Sequence, residues 1–225
     1  MAKKIYLSPS DQNRNLYAYG DTNEMVQCQR IADACEAALK RCGFEVKNNQ
    51  TDEMEERVAE SNRWGADLHM PIHTNGFNGV VAGTRIMSYD LSGDGYKASV
   101  AVLNALAPVT PGTSENVSAR PGLYEIRYAN APTVYVEAEF HDVPKIAKWI
   151  IENVELIGES IAKGVCAYFD VPYIEPNVKS EETDSGDVFY RVQVGAFKNP
   201  SNAEALQQDL VAAGFPNSYI VKVVK

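Results

Sequence analysis

The chain has no apolar run approaching the ~20 residues that a membrane-spanning helix needs. Its opening, MAKKIYLSPS, has basic residues but no apolar segment behind them. These two absences argue against a membrane partner and against a secretory leader. Cytoplasmic synthesis is therefore expected, with some other means of release if the protein acts outside. Basic clusters are missing as well. Lys and Arg number 21 against 30 Asp and Glu, a net charge of −9, and without a cationic patch to neutralise phosphates no nucleic-acid partner is expected. Of four cysteines, Cys28, Cys35 and Cys42 recur every seven residues like core positions of a helix, and Cys166 lies in another apolar helix. That spacing is neither a disulfide framework nor a CxxC metal pattern. No GxSxG elbow, P-loop or dinucleotide fingerprint occurs, which removes the commonest nucleophile and nucleotide chemistries. Histidine is rare, three residues in 225, so each one counts.

With 45% hydrophobic residues the chain can fill one full core and a small second module. ADLHMPIHTN, residues 66–75, reads as a buried strand in which Leu68, Met70 and Ile72 alternate with His69, Pro71 and His73 before Thr74, Asn75 and Gly76 end the run. Before it come a short strand from Lys4 to Leu7, a helix over Glu24–Arg41 capped by Thr22 or Asn23, a strand over Phe44–Lys47, and a helix from a Thr51 cap to Trp64. Further strands are expected over Gly83–Tyr89 and Thr133–Phe140, with a helix over Tyr96–Leu106 and a long loop over Pro108–Arg120. A short edge segment at Leu123–Arg127 and one long helix over Pro144–Phe169 complete this part. The βαβαβ order predicts an α/β fold, a twisted, mostly parallel sheet with helices on both faces. Residues 1–174 form that domain and 175–187 have linker composition. Residues 188–225 read as a small C-terminal βαβ module.

In an α/β sheet the C-terminal strand edge is where ligands gather. His73 stands there, Glu137 lies in the neighbouring strand, and Glu24 opens the helix that follows the Ser8–Asp11 loop. A histidine with two carboxylates suits a metal ion with an adjacent general base. His69 is separated from His73 by roughly 13 Å of extended backbone, so it is expected to be a buried, hydrogen-bonded core residue. His141, just past the Glu137 strand, can reach the same edge. Asn75 and Arg127 are candidate substrate contacts.

ADLHMPIHTN resembles the ADLFISIHAN strand of zinc-dependent N-acetylmuramoyl-L-alanine amidases of the amidase_3 type, and TVYVEAEFHD resembles their PAVLVExGFxSN strand. Arg57 and Ser61-Asn62 fit the upstream R…AN helix of that family. The resemblance, over about residues 4–170, implies peptidoglycan as substrate, hydrolysis of the amide between muramic acid and L-alanine, and zinc as cofactor. It also implies His73 and Glu24 as zinc ligands and Glu137 as catalytic acid/base. The family's first motif is DPGHGG, whose histidine is a ligand, whereas this chain reads SPSDQN with Asp11 in the histidine's place. Asp11 or His141 then completes the site, or the zinc site is lost and the chain is a non-catalytic wall-binding relative. The tail YRVQVGAFKNPSNAEALQQDLVAAGF is similar to the opening half of the sporulation-related repeat (SPOR) domain, which implies glycan-strand binding. An unfinished sheet edge of this kind can pair with a second copy, making a homodimer a further expectation. The implied settings are a phage or prophage endolysin, or a mother-cell lysin.

Overall fold

The computed structural model describes residues 2–50, 53–176, 194–215 and 218–220. The chain separates into two compact units, Met1–Asn177 and Val178–Lys225. The first is built on a six-stranded sheet. Its strands are β1 (Lys4–Pro9), β2 (Glu45–Asn48), β3 (Leu68–Asn75), β4 (Arg85–Ser88), β5 (Asn116–Ala119) and β6 (Tyr135–Phe140), in the order β2-β1-β3-β6-β4-β5. All neighbours are parallel except β4 against β6. This is the mostly parallel α/β sheet that the βαβαβ order predicts, with β4 and β5 running opposite to the other four strands.

Period-two alternation sorts the side chains to two unlike faces. Ile5 and Leu7 of β1, Leu68, Met70 and Ile72 of β3, and Val136, Ala138 and Phe140 of β6 enter one apolar core. Helices α1 (Glu24–Arg41), α3 (Gly93–Leu106), α5 (Pro144–Glu152) and α6 (Val154–Phe169) cover that core. Close approach there depends on Gly158, where a Cβ would meet Ala34 Cβ at 2.6 Å, and on Gly164, where it would meet Val102 Cα at 2.5 Å. The opposite face carries Tyr6 and Ser8, His69 and His73, and Tyr135, Glu137 and Glu139. Helices α2 (Met54–Trp64) and α4 (Tyr124–Tyr128) flank it.

Several local expectations change. Leu123–Arg127 is not a sheet-edge segment: α4 forms instead, with Tyr124 and Tyr128 one helical turn apart and their tilted rings in contact, centroids 4.6 Å apart. The sheet edge is taken by β5, inside the stretch expected to be loop. The single helix expected over 144–169 breaks at Asn153, whose side chain donates to the Trp149 carbonyl at 2.8 Å and so competes with the helix ladder. Asn23 caps α1, accepting from the Val26 N–H. Thr51, expected to cap α2, lies outside the described residues.

In the second unit helix α7 (Pro200–Ala212) has Asn199 as its cap, accepting from the Ser201 N–H, and ends at Gly214 with φ 96°. Of the strands expected in the tail, Val194–Phe197 and Tyr219–Ile220 are described and are not in strand, while the rest of them and most of the linker expected over 175–187 fall outside the described residues.

Candidate active site

His73 and Glu137 are direct register partners on β3 and β6, on the polar face of the sheet. The pairing shifts just beyond them, where Asn75 faces Phe140, so the strand edge twists away immediately after the two side chains. Glu24 is the first residue of α1, where the helix dipole favours a carboxylate. The loop between β1 and α1 lowers it onto the sheet edge. His73 Nδ1 lies 2.7 Å from Glu24 Oε1, and Asn15 Nδ2 donates to Glu24 Oε2 at 2.7 Å. The His73 ring stacks on Tyr135, centroids 4.6 Å apart. Three of the expected site residues, Glu24, His73 and Glu137, are therefore brought together.

Their electrostatics differ. Burial alone works against charge on both Glu24 and His73, yet their mutual hydrogen bond lowers the carboxyl pKa and raises that of the imidazole. Glu137 has no such partner. Its Oε2 is wholly buried without a hydrogen bond, while the side chain as a whole is half-buried. Burial pushes its pKa up to about 7, with the His73 charge pulling the other way and Glu24 reinforcing the rise. A carboxyl that shares its proton near neutrality suits general acid/base work.

The other expected residues go elsewhere. Asp11 Oδ2 is held 3.1 Å from the buried Arg57 guanidinium, not against His73. His141 Nδ1 meets both the carbonyl and the hydroxyl of Thr74 at 3.0 Å, and its ring stacks on Tyr17, whose hydroxyl also reaches Thr74. Since Ala18 N–H also bonds the His141 carbonyl, this histidine latches the β1–α1 loop onto the end of β3. Asn75 turns its side-chain oxygen onto the Gly76 N–H. Arg127 lies over the Tyr128 ring, in a groove of about 480 Å³ lined also by Tyr89, Gly95 and Thr133. Thr133 precedes Glu137 by four residues, so this groove sits roughly 13 Å back along the strand.

The sequence reading missed Gln12, whose Nε2 is 3.4 Å from His73 Nδ1 and whose Oε1 accepts from Asn15 at 2.7 Å. Its signal was position alone, since it follows Asp11 where the chain leaves β1. Glu125 was missed too. It is buried on α4, accepts a short hydrogen bond from Ser8 and a 3.3 Å contact from His69 Nε2, and lies 3.9 Å from Arg57 Nε. His69 is fully buried, with Nδ1 3.0 Å from Ser61 and its ring stacked on Tyr6, the core histidine that its strand position predicts. Glu139 accepts from the N–H groups of Gly83, Gly112 and Phe140 at 2.8, 2.7 and 3.1 Å, clamping two loops.

The donor chemistry at the edge fits a zinc ion in part. An imidazole nitrogen and an ionised carboxylate face each other across a hydrogen-bond distance, with a second, unpaired carboxyl alongside. Among the described residues no three His, Cys, Asp or Glu side chains close around one point, because Asp11 and His141 are engaged as described.

The family profile of N-acetylmuramoyl-L-alanine amidase (Amidase_3) matches residues 10–167, and that of the SPOR domain matches residues 177–225. No protein of curated function matches the chain. Among solved structures, the catalytic domain of the amidase CwlV from Bacillus (Paenibacillus) polymyxa var. colistinus is 19% identical. It superposes with a TM-score of 0.67, covering 76% of this chain and 99% of that one. The CwlD amidase from Clostridioides difficile, solved with the GerS lipoprotein, is 18% identical with a TM-score of 0.65, covering 75% and 98%. The amidase AmiC2 of Nostoc punctiforme is 19% identical with a TM-score of 0.66, covering 75% and 97%. At such identities these likenesses show the fold, whereas the first profile spans well over half of the sequence, and so the chain belongs to the N-acetylmuramoyl-L-alanine amidase family, hydrolases of peptidoglycan.

Proposed function

We propose that the protein hydrolyses the amide joining the lactyl group of N-acetylmuramic acid to L-alanine, with Glu137 as general base and acid and His73 and Glu24 as holders of zinc. The observation that carries this reading is the unpaired, buried Oε2 of Glu137 beside the His73–Glu24 pair. When bound, zinc supplies Lewis acidity toward the scissile carbonyl and lowers the pKa of a water. Glu137 takes the proton of that water as its oxygen bonds to the carbonyl carbon, then delivers it to the alanine nitrogen as the C–N bond breaks. A carboxyl with a pKa of about 7 suits both half-steps near neutral pH. Asn15 fixes the Glu24 carboxylate, and Tyr135 fixes the plane of the His73 ring. The tail matched by the SPOR profile would hold the enzyme on glycan strands, and two tails could pair into a homodimer.

The test is release of new alanine amino groups from purified cell wall, followed by amine labelling, together with elemental analysis for zinc. Zinc-saturated protein that is inert on walls from several bacterial sources defeats the proposal. A second reading, a wall-binding protein without catalysis, is favoured by the engagement of Asp11 with Arg57. It expects wall binding with neither zinc nor amine release.

A further inference from the structure

On the polar face of the sheet three chemistry-bearing residues stand in one row across neighbouring strands. His73 of β3 is the register partner of Glu137 on β6, and Glu137 is in turn the antiparallel partner of Arg85 on β4. Partners directly opposite in a ladder share a face. Ile86, the next residue of β4, enters the apolar core, which leaves Arg85 and Met87 on the side of Glu137 and Tyr135. At roughly 4.8 Å per strand, the row places a cation one strand beyond the proposed general base, on the side away from His73.

Arg85 is half-buried, and its Nη2 donates to Ser114 Oγ at 2.5 Å. Ser114 belongs to the loop that leads into β5, so the guanidinium leans away from Glu137. The charges acting on Glu137 are accordingly those of His73 and Glu24. Ser114 is itself fixed. Its N–H and that of Thr113 donate to the Ala82 carbonyl at 3.2 and 3.3 Å, and Glu139 holds the Gly83 and Gly112 N–H groups beside them. A Cβ on Gly83 would lie 2.5 Å from the Ser114 nitrogen, so the close approach of these two segments depends on glycine. Among the described residues Arg85 forms no ion pair. An anchored guanidinium with donors to spare and only a neutral hydroxyl as partner is equipped to take a carboxylate.

The proposed substrate carries one within reach. The residue after L-alanine in a peptidoglycan stem is a D-glutamate joined on through its side chain, so its α-carboxylate is free. One Cα–Cα step and a carboxyl bond put that group roughly 5–6 Å from the alanine nitrogen. With the scissile carbonyl held on the His73–Glu24 side of the row, the alanine side of the bond extends past Glu137 toward β4. We infer that Arg85 binds the free α-carboxylate of the second stem residue and so selects stem peptides in which it is not amidated. This rests on the amidase reading above.

Two soluble substrates test the inference on full-length, zinc-saturated protein: N-acetylmuramoyl-L-alanyl-D-glutamate and its D-isoglutamine counterpart, in which the carboxylate is an amide. Wild type should favour the free acid in kcat/KM by about 10- to 100-fold, the range of a charge-assisted hydrogen bond. Arg85→Gln should lose that preference by slowing the free acid alone. Arg85→Lys, which keeps the charge without the fork, should retain part of it. Damage to the fold would instead slow both substrates together, and thermal melts confirm that each variant is folded. Equal kcat/KM of wild type for the two substrates overturns the inference and leaves the amidase reading standing, as does an unchanged preference in Arg85→Gln. Wild type that cleaves neither also overturns it, and if purified wall is untouched as well, the amidase reading falls with it.

Discussion

Replacing Glu137 with glutamine should abolish wall lysis and at the same time stabilise the metal-free protein. Burial raises the Glu137 pKa from 4.5 to about 7. A carboxyl whose folded-state pKa lies above its unfolded value contributes stability that is fully present below pH 4.5 and is lost as pH climbs through about 7. The 2.5-unit gap (7 − 4.5) corresponds to at most about 3 kcal/mol at 1.36 kcal/mol per unit. The side chain is half-buried, and solvent screening of its charge brings the expected effect down to roughly 1–2 kcal/mol. A glutamine at this position stays neutral at every pH and resembles the protonated acid in shape. Wild type and variant should therefore melt together near pH 4.5 and diverge above pH 7, the variant higher by roughly 2–8 °C at ~2–4 °C per kcal/mol for a domain of this size. Thermal melts in chelator from pH 4.5 to 8 measure the divergence, and amine release on wall should fall about 10²- to 10⁴-fold. A gap in melting temperature that does not change with pH would refute the electrostatic argument, and wild-type turnover would remove Glu137 from the mechanism.

His73→Ala should lose zinc and amine release together while keeping its circular dichroism; retention of tight zinc would move the metal site elsewhere. Glu139→Gln should leave the chemistry nearly untouched but lower stability by roughly 1–3 kcal/mol, since an amide group cannot accept from both the Gly83 and Gly112 N–H groups; urea midpoints check this. Deleting residues 175–225 should leave the first unit folded and weaken pull-down by insoluble wall, because the chain divides near residue 177. If two tails complete one sheet, the full-length protein sediments as a dimer and the shortened one as a monomer, and a monomeric full-length protein rules out that pairing.

The strands that build the site were legible because period-two alternation in β1, β3 and β6 puts aliphatic residues on one face only, leaving His73 and Glu137 on the other. Glu24 was legible from helix start signals. What the sequence could not show was competition for side chains over long range. Nothing in SPSDQN says that Asp11 is drawn off by an arginine 46 residues later, which leaves Gln12 at the histidine. Nor does the position of His141 past β6 reveal that Thr74 and Tyr17 occupy it. Glu125 was missed and α4 misread for a related reason: a five-residue helix has too few turns to show a period, and its buried carboxylate is intelligible only beside Ser8, His69 and Arg57.

Those four residues make one compensated set. Where the related strand motifs have Asp and Phe, this chain has Ser8 and His69. Ser8 cannot serve the buried Arg57 as a carboxylate does, and Glu125 and Asp11 now stand near it at 3.9 and 3.1 Å. His69 brings two ring nitrogens into the interior, which Ser61 and Glu125 satisfy. Burial opposes the charge on Glu125, yet His69, Ser8 and Arg57 hold its pKa below the ordinary carboxyl range. Ser8→Asp alone should therefore be harmful, because it sets a second carboxylate against Glu125 where neither meets water. An uncompensated buried charge costs about 3–5 kcal/mol. Adding Glu125→Gln to Ser8→Asp should recover much of that loss, since the introduced aspartate then faces an amide donor and the arginine. The double-mutant cycle, read from urea midpoints, should show a favourable coupling of more than about 1 kcal/mol. Additive effects of the two substitutions would mean that Ser8 and Glu125 do not share one electrostatic site, and the compensation argument would fail.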